Sequence, residues 1–525
     1  LCVKPSTAPY GDFDFSRNSS ATRVNAQGLI EDVQILSSNL VQNGDFATDT
    51  DWTKGTGWSI GGGVASCDGT QTAGTQLEQN GTYTINKTYK ITYTIVSITA
   101  GSIDVRLKLG GALVTGTTQT TSGTYTEYLT STGNTAFALR GDANFIGSID
   151  NVSVKEITDD TNLPRINYSG FSFDGSGNII PNSGCGAWLF EPQSTNLITY
   201  SEEFSNPYWN KLRATIVPNS TISPDGSLNA SKLVESTDSG THVLYENNIT
   251  TGAGTNTLSV KVKPNGRNWV RLYDSEQAEG VFFNLANGTV GSTDGSPDDF
   301  SITALTNGWY NITLTTTATL RVDFQIYLAE SDGGVPSYTG DGVSGIYVWG
   351  AQLEQQSYPT SYIPTSGSAV TRNQDLCTNG GDVSLINSTE GVLYVEMAAL
   401  ADDGTNKRLT INQNTTNRIG IEFNTSGQLR FTVRIGGSFA VSAVFSADIT
   451  VNNKIAFKYK SGDCSFYLNG VNIGSNTGAF AFAVGQLTDL DFSDGGNIEM
   501  FGKTKALAVW KEALTDAELT ALTTI

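Results

Sequence analysis

Hydrophobic and polar residues alternate with a period of two through every third of this chain. In YKITYTI, Tyr89, Ile91, Tyr93 and Ile95 fall on one side and Lys90, Thr92 and Thr94 on the other. LRVDFQIYL places Leu320, Val322, Phe324, Ile326 and Leu328 on one face, and LRFTVRI does the same with Leu429, Phe431, Val433 and Ile435. Half-buried antiparallel strands give this pattern, because successive side chains of a strand point to opposite sides of its sheet. Clusters of Gly, Asn, Ser and Thr between the runs supply the turns of β-sandwiches, and helical periodicity is almost absent.

Two stretches echo each other. NLVQNGDFATDTDWTK begins at Asn39, and NLITYSEEFSNPYWNK begins at Asn196. Each has an Asn-Leu pair, an aromatic (Phe46; Phe204) and a Trp-x-Lys (Trp52 to Lys54; Trp209 to Lys211), with 13 residues from Asn to Trp in both. Each then runs through alternating segments to a strand of terminal character, GSIDNVSVKEI and GIYVWGAQLEQ. The economical reading is an internal repeat, one β-sandwich at 39–157 and its copy at 193–357.

The remainder, 376–525, is a different unit. IAFKYKSGDCSFYLNGVNIGS predicts strands turning at Ser461-Gly462-Asp463 and at Asn469-Gly470, the latter suited to the positive φ of a two-residue hairpin. The one helix predicted is short and terminal: Thr515 is a good N-cap with Glu518 three residues on, and Leu514 and Leu519 stand at hydrophobic-staple positions. Residues 358–375 hold prolines and small polar residues, which predicts an extended, surface-lying linker. Residues 1–38 and 158–192 are too apolar for linkers and too short for separate cores; together they read as a small β module or connector, with the first sandwich inserted into it and a capacity to serve as an attachment segment.

Length agrees with about three units, since 525 residues exceed what one core supports. A formal charge of −20 argues against a phosphate-neutralising surface and hence against nucleic acid as partner. The five cysteines are scattered singly and His242 is the sole histidine, which favours neither a disulfide framework nor a zinc site. No run of about 18 apolar residues is present to span a membrane.

The segments SSATRVNAQGLIEDV, LPRINY, WLFEPQSTNLITYSEEFSNPYWNK, GAQLEQQSYPTSYIPTSGSAVTRNQD and TEGVLYVEMAALADDGTNKR, in this order, resemble large virion proteins of tailed bacteriophages, variously tail, tail-fibre or head-fibre proteins. The resemblance implies jelly-roll-like, carbohydrate-binding-module-like sandwiches followed by a laminin G or concanavalin A-like lectin sandwich. It also implies a virion-surface location after assembly in the host cytoplasm, association with other virion proteins, homo-oligomerisation with a trimer favoured, and host-surface polysaccharide as ligand. Unpaired cysteines agree with assembly in a reducing cytoplasm.

Catalysis finds little support in the residues. His242, in SGTHVLYE, stands beside no Ser or Cys motif and reads as a surface strand residue. The E-x-D-x-x-E strand of glucanases that share the lectin-like fold is missing, DLDFSD at 489–494 having other spacing. The expectation is therefore a non-enzyme that binds glycans. Aromatic faces stack on pyranose rings, and Trp58, Trp269, Tyr273, Trp309 and Tyr310 are the candidate glycan-binding residues, with core packing the competing role for each. Trp52 and Trp209 recur at one place in the repeat, as structural residues do. No cofactor is expected beyond a structural calcium; the oxygen-rich loops at 294–300, 331–334, 401–406 and 493–496 suit that ion, and equally suit ordinary turns. The alternatives are a purely structural decoration or joining protein of the virion, a polysaccharide depolymerase, and a secreted bacterial adhesin with a signal peptide upstream of Leu1.

Overall fold

The computed structural model describes residues 13–168, 171–173, 179–181, 186–334 and 336–524. The fold is all-β, built from antiparallel sandwiches. Alternation places the inward side chains as expected: Tyr89, Ile91 and Tyr93, then Val322, Phe324, Ile326 and Leu328, then Leu429, Phe431 and Val433 are all fully buried. Leu320 and Ile435, at the ends of their runs, are not. Cys67, Cys377 and Cys464 are buried free thiols, while Cys2 and Cys185 lie outside the described residues.

The sandwich that follows Asn39 has one sheet in the order Val114–Thr115, Ile103–Lys108, Ala136–Gly141, Thr75–Asn80, Thr53–Lys54. Its second sheet runs Gly123–Thr130, Thr88–Ala100, Ile146–Asp159, Val64–Asp68, Trp58–Gly61. After Asn196 the same arrangement recurs strand for strand: Glu279–Asn284, Trp269–Asp274, Arg321–Ala329, Val243–Thr250, Asn210–Leu212 in one sheet, and Tyr310–Ala318, Gly254–Asn265, Gly345–Glu354, Ala230–Glu235, Ala214–Thr221 in the other. The second copy adds Thr289–Asp294 and Asp299–Ala304 as outer strands.

The echoed residues do the same work in both copies. Asn39 Oδ1 accepts from the amides of Val41 and Val154 at 3.3 and 2.9 Å, and Asn196 Oδ1 accepts from Ile198 and Leu353, both at 3.1 Å. The indole N–H of Trp52 donates to Asn43 O at 3.0 Å and that of Trp209 to Tyr200 O at 2.8 Å, each reaching back nine residues. The rings pack on Phe46 and Phe204 with centroids 5.4 and 5.2 Å apart. These positions pin the entering chain to the last strand of each sandwich.

In the C-terminal sandwich, a five-stranded sheet runs Ser438–Ser446, Gln428–Ile435, Asn417–Phe423, Lys407–Asn414, Asp489–Asp491. It faces a sheet containing Gly502–Trp510, Glu390–Ala399, Asn453–Lys460, Cys464–Leu468 and Val471–Asn476. Asn469 and Gly470 turn a hairpin at φ 50° and 85°, the left-handed values that favour Asn and Gly. Helix Asp516–Thr523 begins with a complete capping box between Thr515 and Glu518, and Leu514 and Leu519 join one apolar cluster beneath it. No helix among the described residues is long and apolar enough to cross a membrane.

The connecting segments depart from expectation. Among the described residues of 158–192, Arg165–Asn167 and Ala187–Phe190 form no separate core: they extend the seven-stranded sheet of the C-terminal sandwich, Arg165–Asn167 pairing with Ala187–Phe190 and the latter with Gly502–Trp510. Asp14–Ser16 pairs with Leu376–Thr378, and Phe13, Phe15 and Trp188 pack on the C-terminal core. The hairpin Thr22–Val24 with Ile30–Asp32 instead covers Trp309, Trp349 and Tyr362 of the second sandwich. Too few apolar residues for a separate core are thus distributed over two neighbouring ones.

Nor does 358–375 lie wholly on the surface, although 366–369 is exposed. Tyr362, Ile363, Thr365, Arg372 and Asp375 are buried, and Val370–Arg372 pairs with Ser194–Asn196. The reason is a buried ion cluster. Arg165 bonds both Glu191, at 2.7 Å, and Asp375; Arg17 reaches Asp375 at 3.0 Å; Arg372 reaches Glu191 at 2.9 Å. Ser361 completes it, its hydroxyl donating to Glu191 at 2.6 Å. Guanidinium neighbours and these bonds hold the Glu191 carboxyl down at about 2 despite its burial.

Candidate functional site

Strand Trp269–Asp274 alternates sharply. Val270 and Leu272 point into the second sandwich, so Trp269, Arg271 and Tyr273 stand on its outer face. Register brings Tyr327 beside Arg271 and Gln325 beside Tyr273, and one strand further out Tyr245 beside Gln325. Trp269, Tyr273, Tyr245 and Tyr327 are half-buried, with ring surface left to solvent. Glycine at 291 makes room for the indole, since a Cβ there would lie 2.7 Å from Trp269 Cζ3.

Arg271 organises this face. Its guanidinium carbon lies 3.6 Å from the Tyr273 ring centroid and 5.3 Å from that of Tyr327, while Nε donates to Asp294 at 2.6 Å. Burial pushes the Tyr327 phenol up, keeping it protonated to donate to Gln325 Oε1 at 2.8 Å. Gln325 Nε2 donates in turn to Asn247 Oδ1 at 2.8 Å and Ser275 Oγ at 2.7 Å. Asp323 is bonded by Ser275 and by the amide of Asn248 at 2.7 Å. The result is a set of fixed aromatic edges and faces rimmed by amide, hydroxyl and guanidinium groups, which is what a pyranose with equatorial hydroxyls requires.

The first sandwich carries no such face. On its corresponding strands the outward residues are Asp104, Arg106 and Lys108, Arg140, Gln76 and Glu78. They neutralise one another: Asp104 pairs with Arg106 and, at 3.5 Å, with Arg140, and Lys108 pairs with Glu78 at 2.6 Å.

Of the five aromatic candidates, the structure brings Trp269 and Tyr273 together. Trp58 is 7% exposed, packed 5.7 Å from Phe145 in the first core. Trp309 is wholly buried beside Trp349 and Tyr362, its N–H donating to Ile222 O at 3.1 Å. Neither presents a face to a ligand. Tyr310 is half-buried at the edge of the second core, against Gly288. Arg271, Tyr245, Gln325 and Tyr327 were not singled out from sequence, although the odd positions of NWVRLYD and DFQIYL mark the face that is not core. His242 is no surface residue: it is fully buried, with Nδ1 2.7 Å from Arg213 O and Nε2 3.3 Å from Tyr338 O.

Several carboxylates of the oxygen-rich loops are engaged locally. Asp294 pairs with Arg271, Asp403 with Lys407 at 2.6 Å and Asp494 with Arg408 at 2.7 Å, and Asp332 accepts from Ser292 N at 2.7 Å. Among the described residues no group of three or more His, Cys, Asp or Glu is placed to hold a metal ion.

A cavity of about 810 Å³ opens between the two related sandwiches. Asp32, Glu202 and Asp225 line it, and Tyr128 of the first sandwich donates to Asp32 at 2.8 Å across it. Burial, then the neighbouring Asp225, raise the Glu202 carboxyl to about 8.

Residues 396–520 match the family model described as the concanavalin A-like lectin/glucanases superfamily. No curated protein matches the chain. Among solved structures, the N-terminal CBM22-1-CBM22-2 tandem domain from Paenibacillus barcinonensis Xyn10C aligns over 67% of this chain and 100% of that chain, at 12% sequence identity and a TM-score of 0.21. That likeness is too distant to bear on the present fold.

Proposed function

We propose that this chain is a non-catalytic glycan-binding protein of a tailed-bacteriophage virion, exposed on a fibre, tail or capsid surface, and that the second sandwich holds host-surface polysaccharide across Trp269, Tyr273 and Tyr327. One observation carries the binding reading. Two copies of one scaffold differ on the same outer strands, where the first closes the face with ion pairs and the second displays aromatic rings among hydrogen-bonding groups. The carboxylates on and beside the aromatic face, Asp294, Asp323 and Asp332, each bond neighbouring groups, which supports the non-catalytic reading. Weak contacts per domain would gain strength through homo-oligomerisation and virion copy number. The location rests on the sequence resemblance alone.

The test is retention of the full chain on neutral β-glucan, mannan and galactan and on extracted bacterial surface polysaccharide, with polymer length followed in parallel. Saturable retention of uncut polymer that weakens about ten-fold in Trp269→Ala supports the reading. Shortening of the polymer would establish a depolymerase instead, and a monomeric mass in light scattering would remove the oligomer.

A second reading, a structural joining protein, has its own support. The motifs that carry the phage resemblance supply the buried cluster: Arg165 from LPRINY, Glu191 from LFEPQSTNLI, and Ser361, Arg372 and Asp375 from SYIPTSGSAVTRNQD. They are architectural residues. Absence of any glycan retention would leave this reading standing.

A further inference from the structure

The outer face of the five-stranded C-terminal sheet gathers arginines in a chain whose formal charge is −20. Cross-strand register sets Arg430, Glu422 and Arg408 side by side in one row. The next row is Thr432, Gly420 and Thr410. In the third, Arg418 stands beside Arg434, with Phe439 beyond it. Four guanidiniums here meet two carboxylates. Glu422 lies 3.0 Å from Arg430, 3.4 Å from Arg408 and 3.8 Å from Arg418, and Asp494 pairs only with Arg408. Asp491, on the edge strand, is already held by Asn412 Nδ2 at 2.8 Å and Asn379 N at 2.7 Å.

Donors are consequently left over. Arg418 is fully buried, anchored through Nη1 to Thr415 O, and its Nε and Nη2 have no hydrogen-bond partner. Arg430 Nε also lacks a hydrogen-bond partner, while Arg408 Nε lies 3.4 Å from Glu422 Oε2, an acceptor that makes ion-pair contacts but no hydrogen bond. These donors are closed to solvent, so what they add is positive charge beneath the face that is incompletely balanced by carboxylates. In the middle row Gly420 has an ordinary backbone conformation, so its lack of a side chain concerns space: a Cβ would stand 3.1 Å from both Thr410 Cγ2 and Thr432 Oγ1. At the border, Phe439 is 47% exposed, with the guanidinium carbons of Arg430 and Arg434 at 4.8 and 5.2 Å from its ring centroid.

We propose that this face is a second saccharide site, selective for a sugar bearing an anionic group, with the charge held by Arg430 and Arg434 above Arg418 and the sugar ring resting on Phe439. Guanidinium forks match planar carboxylates two bonds at a time, and sulfate esters present the same charge in a different shape. The site is independent of the aromatic face on the second sandwich.

The full chain is tested with polygalacturonate, dextran sulfate and neutral dextran. Binding of one or both acidic polymers is expected, falling at least ten-fold in Arg430→Gln/Arg434→Gln and falling also as salt rises, while Lys505→Gln, an exposed charge on the opposite sheet, leaves it unchanged. Whichever acidic polymer binds identifies the anion. In the wild-type chain, hydrogen exchange of 417–435 should slow on adding that polymer, a readout that requires no variant to fold. Failure of both acidic polymers to bind, affinity unmoved by the double substitution, equal binding of neutral dextran, or protection confined to other segments would each overturn the proposal.

Discussion

Arg17 and Asp375 stand 358 residues apart in sequence and 3.0 Å apart in space, with both side chains fully out of solvent. Arg165 bonds the same aspartate from a third segment. One carboxylate therefore ties the N-terminal segment, the connection between the related sandwiches and the entry to the C-terminal sandwich.

Removing that carboxylate should be costly out of proportion to its size. Asp375→Asn leaves the buried guanidiniums of Arg17, Arg165 and Arg372 facing Glu191 alone. Breaking one partner of a buried ion pair costs about 3–5 kcal/mol, because the remaining charges stay desolvated. Urea denaturation at neutral pH measures it. A loss comparable to that of an exposed pair such as Arg23–Glu31 would show that the cluster does not hold the segments together.

This cluster also marks the limit of what the sequence discloses. Strand alternation is local, and so are the turn at Asn469-Gly470 and the cap at Thr515, all of which are read directly from neighbouring residues. The repeat is legible because Asn39 and Asn196, like Trp52 and Trp209, perform one fixed structural task in each copy. Arg372 and Asp375 look like surface charges in a polar linker, and the charged and carbonyl partners that bury them, Pro192 O, Glu191, Arg165 and Arg17, lie some 180 to 360 residues away. The binding face was half legible for the same reason: Trp269 and Tyr273 share a strand, whereas Tyr327 and Tyr245 join them through register.

Trp269 and Trp309 should separate binding from stability. Trp309→Ala empties a fully buried site and is expected to cost about 3–5 kcal/mol in denaturation. Trp269→Ala, on a half-buried outer position, should weaken glycan retention about ten-fold, or ~1.4 kcal/mol, while moving the melting temperature little. The reverse pattern would remove the aromatic face from the binding reading.

Chelation should change nothing. The loop carboxylates Asp294, Asp403 and Asp494 are satisfied by Arg271, Lys407 and Arg408. EDTA is thus expected to leave the melting temperature and glycan retention unaltered. A drop of several degrees, restored by added calcium, would establish a structural calcium.

Glu202 should impose a pH dependence opposite in sign to that of a salt-bridged carboxylate. Burial raises its proton affinity most, and Asp225, Asp32 and Glu203, which face it, add to that; it accepts from Tyr362 at 2.9 Å and Asn229 at 3.2 Å, and Lys261, over the Tyr362 ring, is a cation that opposes the shift. With a folded value of about 8 against an ordinary 4.5, the folded protein holds a proton that the unfolded chain has released. The stability Glu202 contributes is therefore full below about pH 4.5 and is lost as pH rises through 8. Glu191, held at about 2, acts in the separate window below 4.5, where stability falls with acid. Lys261, lowered to about 8, adds stability only as pH climbs from there toward its ordinary 10.5. Between pH 4.5 and 8 the difference between wild type and Glu202→Gln thus isolates one group: the variant, uncharged throughout, should gain on the wild type steadily and be the more stable at pH 8. Parallel melting curves across that interval would show that Glu202 ionises normally and that the acidic cavity imposes no strain on the joint between the sandwiches.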